Sequence, residues 1–137
     1  MKSIRVLLVD DHPTMVKTLR KLLEKDFGVV GSAGDARTMI EMVLELNPDV
    51  VLLDLNLPFL GGFEAARQLR KKAPKIAIVF LTTNEDCDLA AEALRIGAAG
   101  YVLKKSAASE LHRAIRGSLR RRTFVSAPVG LLWTKTG

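Results

Sequence analysis

A chain of 137 residues is the size of one compact domain, and 48% apolar content is enough to bury a core without metals or disulfides. The net charge of +6 suggests an anionic partner, yet residues 1–110 hold 15 of the 21 Lys and Arg and all 15 Asp and Glu, so the whole surplus lies beyond residue 110. A single cysteine, Cys87, excludes an internal disulfide framework, and one Cys with two His excludes a thiolate-rich zinc site.

The first predicted strand, Ile4 to Val9, is interrupted by Arg5 and ends in Asp10-Asp11. It is too short and too abruptly charged for a signal peptide or a membrane span, so the chain reads as soluble, cytoplasmic and without a membrane partner. A helix follows, with Pro13 in its first turn and Val16, Leu19, Leu22 and Leu23 on one face. The second strand, Gly28 to Ala33, has the glycines and the Ser32 of an edge strand. A helix from Ala36 to Leu46 closes at Asn47-Pro48, and the third strand, Val50 to Leu53, leads into Asp54. The next helix, Gly62 to Lys72, closes at Ala73-Pro74, and the fourth strand, Ile76 to Leu81, runs into Thr82-Thr83. After a helix from Glu85 to Ile96 that stops at Gly97, the fifth strand, Gly100 to Leu103, ends at Lys104-Lys105. The last helix, Ala107 to Arg121, carries Arg113, Arg116, Arg120 and Arg121, read as a solvated face.

Short β-branched runs alternating with helical periods give a (βα)5 chain around a parallel sheet, and the nearly unbroken apolar strands imply helices on both faces. Residues 1–122 form the domain. Residues 123–137, with Pro128 and Trp133, read as a tail or a truncated linker.

Open α/β sheets bind ligands beyond the carboxyl ends of their strands, and the polar residues of this chain gather there. With a strand order of 2-1-3-4-5, Asp10, Asp11 and Asp54 converge at the switch point. Three converging carboxylates repel one another unless a hard cation sits among them, and Mg²⁺ is the natural candidate because it leaves room for phosphate oxygens. Asp54 could then act as a nucleophile toward phosphorus, with Lys104 and the Thr82 hydroxyl compensating charge on the transferred group.

The segments Val-Asp10-Asp11-His, Leu-Leu-Asp54-Leu-Asn-Leu-Pro58 with Gly62, Leu-Thr82-Thr, Gly97-Ala98 and Tyr101-Val-Leu-Lys104 together resemble a response-regulator receiver domain of two-component signalling. The likeness covers residues 4 to about 120 and is specific in its combined spacing. It implies a flavodoxin-like three-layer sandwich with a central five-stranded parallel sheet of order 2-1-3-4-5. It implies that Asp54 accepts phosphate from a sensor histidine kinase or a phosphotransfer protein. Asp10, Asp11, Asp54 and the main-chain carbonyl of Asn56 would hold Mg²⁺. Thr82 and Tyr101 resemble the switch pair, and Asn56 and Asn84 occupy positions that tune hydrolysis of the aspartyl-phosphate. Such a domain is not a turnover enzyme, since it slowly hydrolyses only its own phosphoryl group.

Lys104-Lys105 stands where the family often has Lys-Pro, and Thr83 is larger than the residue usual after the switch hydroxyl. Read without the resemblance, Tyr101 is equally a half-buried core aromatic, Thr82 a hydroxyl bonded to local backbone, Lys105 a surface cation and His12 a solvated residue at a helix start. The stretch Thr123-Phe-Val-Ser-Ala-Pro128 is similar to the junction after the receiver in LuxR-type transcription regulators. Nucleic acid would then be reached only through an output domain outside this chain, and homodimerisation is left open. Alternative functions are a phosphorylation-independent interaction module and an aspartyl-nucleophile phosphatase, for which Asp54-Leu-Asn56 is a poor match. A flavodoxin-like cofactor binder lacks its phosphate loop after the first strand.

Overall fold

A computed structural model describes residues 3–126. Its elements are β1 (Arg5–Val9), α1 (Pro13–Leu23), β2 (Gly28–Ala33), α2 (Ala36–Leu46), β3 (Val50–Asp54), α3 (Gly61–Lys72), β4 (Ala77–Thr82), α4 (Cys87–Ile96), β5 (Gly100–Leu103), a 3-10 turn (Lys104–Ser106), α5 (Ala107–Leu119) and β6 (Phe124–Val125). All strand pairs are parallel and the order is 2-1-3-4-5-6, a flavodoxin-like α/β sandwich with β2 at one edge as its composition suggests.

The pleat sends alternate residues of each strand into two separate cores. Leu7, Val9, Leu53, Ile78 and Phe80 pack with Met39 of α2, Leu69 of α3 and Ala93 of α4. Val6, Leu8, Leu52, Val79 and Val102 pack with Leu19 of α1 and with Leu111 and Ile115 of α5. Burying both faces explains the lack of hydrophilic alternation in β1, β3, β4 and β5.

Local chemistry fixes the helix ends. Asp35 caps α2, its carboxylate accepting the Thr38 N–H at 2.8 Å. Helix α4 begins at Cys87 rather than Glu85, because Asp86 leaves the helix to accept the Asp88 N–H at 2.8 Å. It closes on Gly97, at φ +99. Helix α5 stops at Leu119, before the anticipated Arg121, which turns the chain in the left-handed region at φ +57.

The sheet has one strand more than the five anticipated. Residues assigned to a tail form β6, and Phe124 and Val125 pair with Gly100 and Tyr101 along the free edge of β5. Pro128 and Trp133 lie outside the described residues.

Candidate functional site

Strands β1 and β3 are neighbours whose following helices pack on opposite faces of the sheet, so a crevice opens beyond their carboxyl ends. Asp10 follows β1 and is buried; its Oδ1 accepts the His12 N–H at 2.9 Å. Asp54 ends β3, is 1% exposed, and receives the Asn56 N–H on Oδ1 at 3.1 Å. Asp11 and Asn56 are exposed at the rim. Gly62 makes the turn after Asp54 possible, since a Cβ there would lie 2.6 Å from Leu55 Cα and 2.8 Å from the Asp54 carbonyl oxygen. That close approach lets the Gly62 N–H reach the Leu55 carbonyl at 2.8 Å and seats α3 against the Asp54 turn.

Lys104 enters from the end of β5. Its Nζ is 3.4 Å from Asp54 Oδ1 and 3.5 Å from Asp10 Oδ2, so one cation is shared by two buried carboxylates. The Lys104-Lys105 junction starts the 3-10 turn, and no peptide bond among the described residues is cis. Burial is the largest influence on Asp54 and raises its pKa above the ordinary carboxylate value. The Asp10 charge also raises it, while the Asn56 N–H and Lys104 oppose the rise. Asp54 Oδ2 is buried with no hydrogen-bond partner, and Asp10 Oδ2 has only its longer contact with Lys104.

Thr82 is fully buried at the end of β4, and its Oγ1 accepts the Asn84 N–H at 3.0 Å, the local bond expected of a threonine. Tyr101 is fully buried in β5, and its hydroxyl donates to the Asn84 carbonyl at 2.8 Å. Burial pushes the Tyr101 hydroxyl pKa up, and the neighbouring Thr82 hydroxyl offsets part of that. Asn84 thus ties Thr82 to Tyr101 through its two backbone groups. Thr83, Asn84 and Lys105 are exposed, and Lys105 pairs with Glu85 across the mouth of the two loops.

One participant escapes sequence reasoning. His12 is 65% exposed, as a helix-start residue should be, yet its Nδ1 lies 3.0 Å from Asp10 Oδ1 and 3.1 Å from Asp11 Oδ1. Single ligand atoms of Asp10, Asp11, His12 and Asp54 all fall within 4.8 Å of one another. Beside them runs a groove of about 800 Å³ lined by Pro13, Val16, Lys17, Pro58 and Phe59. Phe59, 98% exposed and at φ +69, stands at its rim.

A family description, the response regulator receiver domain, matches residues 6–116. The response regulator GacA of Pseudomonas viridiflava is 36% identical over 92% of this chain and 60% of its own length. The transcriptional regulatory protein DegU of Brevibacillus brevis is 33% identical over 83% of this chain and 49% of its own length. The chain therefore spans roughly half to three fifths of these curated relatives. Among solved structures, a LuxR-family two-component response regulator from Aurantimonas sp. SI85-9A1 superposes with a TM-score of 0.93 at 34% identity, covering 99% of this chain and 98% of that one.

Proposed function

The chain belongs to the response regulator receiver domain family, and from that premise we propose that it is a phosphorylatable switch in which Asp54 is the acceptor. The observation that carries this reading is Asp54 Oδ2: a buried carboxylate oxygen at the carboxyl end of a central strand, with no partner of its own, beside a lysine that holds the other oxygen. In the transfer, Oδ2 bonds to phosphorus as the bond from phosphorus to the donor's imidazole nitrogen breaks, and the freed imidazole takes up a proton. The donor is a sensor histidine kinase or a phosphotransfer protein. Lys104 faces a phosphoryl oxygen, and Thr82, at the neighbouring strand end, supplies its hydroxyl to another.

The donor set fits Mg²⁺: hard carboxylate oxygens, one of them, Asp10 Oδ2, buried without a hydrogen bond, in a cluster only 4.8 Å across. Asp10, Asp11, Asp54 and the Asn56 main-chain carbonyl would hold it. When bound, the ion offsets the negative charge of the carboxylates and of the arriving phosphoryl oxygens. His12 shares oxygens with Asp10 and Asp11 and has to yield them as the site fills.

Reversal is slow self-hydrolysis rather than turnover. Water attacks phosphorus, inorganic phosphate leaves, and the carboxylate is restored, with the exposed Asn56 and Asn84 setting how water approaches. The new charge engages the Thr82 hydroxyl and, through Asn84, fixes Tyr101 in its buried seat, so the output face is α4, β5 and α5. We assign residues 1–122 to the receiver and 123–137 to a connection toward an output domain outside this chain. Through that domain nucleic acid would be reached, and a second copy of the chain is a further candidate partner. The role places the protein in the cytoplasm; no helix among the described residues is long and apolar enough to cross a membrane.

Incubation with acetyl phosphate and Mg²⁺ should add one phosphoryl group by intact mass, and chelation or Asp54→Asn should prevent it. Unmodified protein with every small donor would remove the reading.

A further inference from the structure

The segment after α5 is held by more than its two-residue ladder. The Phe124 N–H donates to the Ala99 carbonyl at 2.9 Å and the Ser126 N–H to the Tyr101 carbonyl at 3.0 Å. The fully buried Ser126 hydroxyl accepts the Leu103 N–H at 2.8 Å and donates to Glu110 Oε1 at 2.5 Å. Arg113 lays its guanidinium over the Phe124 ring, 5.2 Å from the centroid. A passive linker has no need to bury a hydroxyl against a glutamate and complete its hydrogen bonds; a docked element does.

The β5 residues that grip Ser126 are also tied to the acid site. Tyr101, whose carbonyl takes the Ser126 N–H, sends its hydroxyl to Asn84, and Asn84 in turn bonds Thr82. Leu103, whose N–H reaches the Ser126 hydroxyl, is followed directly by Lys104, 3.4 Å from Asp54. A two-residue strand at a sheet edge is the kind of unit that opens locally at small cost, so a slight shift of β5 decides whether it stays docked.

The geometry points to β6 as a strap that reports the state of the acid site: Ser126, gripped by Tyr101, Leu103 and Glu110, docks the C-terminal segment when Tyr101 is seated and frees it when Tyr101 is not. The strap rests on Asp54 being the phosphoacceptor. A phosphoryl group there gives Lys104 and Thr82 a nearer anion and holds Asn84 and Tyr101 in the arrangement described, so phosphorylation tightens the strap. Phe124 to Ser126 are then held against β5 and α5 in one state and released in the other.

Amide hydrogen exchange on the 137-residue chain, with and without acetyl phosphate and Mg²⁺, tests this, with intact mass reporting phosphoryl incorporation in the same samples. Exchange over residues 123–126 should slow at least about fivefold on phosphorylation, a shift within reach of one local opening equilibrium. Ser126→Ala should speed exchange there about tenfold, the effect of one lost buried hydrogen bond, and erase the response while incorporation stays unchanged. Incorporation with unaltered exchange at 123–126 would overturn the strap and leave the receiver reading standing. Ser126→Ala exchanging like the parent chain would overturn it as well, and no incorporation would remove the receiver reading and the strap together.

Discussion

Asp54 is the residue at which function and stability pull apart. Burial, its largest influence, raises the Asp54 carboxyl pKa above the ordinary value, so the group gives up its proton less readily in the folded chain than in the unfolded one. A group with a raised native pKa opposes folding once pH climbs past its unfolded value of about 3.9, and the cost persists above the raised native value. Asp54→Asn should therefore raise Tm at pH 7 in chelator by roughly 2–5 °C, and the gain should vanish below about pH 4. An unchanged or lower Tm at neutral pH would contradict this. Lys104 works in the opposite sense, since it is the cation shared by Asp10 and Asp54. Lys104→Met should cost about 1–3 kcal/mol in urea titration, and adding Asp54→Asn should return part of the loss. Asp10, Asp54 and Lys104 were legible in the sequence because strand ends are where an α/β chain keeps its polar residues. The reach of His12 was not, because the bend that aims its ring back at both carboxylates depends on side-chain geometry rather than spacing.

At the level of elements, the turn after β3 depends on the absence of one side chain. Gly62→Ala would drive a Cβ into the backbone of Leu55 and Asp54. It should cost about 2–4 kcal/mol by urea titration and sharply reduce phosphoryl incorporation; wild-type stability and incorporation would show that the turn tolerates a methyl group. Asp35 gives the contrary pH signature to Asp54. The Thr38 N–H, its largest influence, holds the Asp35 carboxyl below the ordinary value, so the cap contributes stability above about pH 3.9 and loses it as pH falls through the depressed native pKa. Asp35→Ala should cost about 1 kcal/mol at neutral pH, shrinking in acid. The end of helix α2 could be delimited from its Asn47-Pro48 stop, a local signal. Strand β6 could not, because two residues have no periodicity and owe their conformation to the open edge of β5 and to the pocket for Ser126.

Over the whole molecule, the parallel sheet could be read from strands apolar on both faces, while the strand order came from resemblance. The charge surplus that first suggested nucleic acid is drawn together by folding in a way the sequence does not reveal. His112, Arg113, Arg116, Arg120 and Arg122 line one groove of about 590 Å³ with Phe124, on the α5 side of the fold and beside the strap. The acidic cluster lies instead beyond the strand ends, and it is there that a divalent cation should act on stability. Mg²⁺ at ten times its Kd should stabilise the folded chain by about 1.4 kcal/mol, and Asp11→Asn should blunt that gain at the same concentration. The switch itself turns on a single covalent bond, between Asp54 and phosphorus. Treating the acetyl phosphate-reacted protein with borohydride reduces an aspartyl-phosphate to homoserine, and fragment mass spectrometry locates the change. The account predicts homoserine at position 54 alone; homoserine at another aspartate, or none in protein that carries the phosphoryl mass, would contradict it.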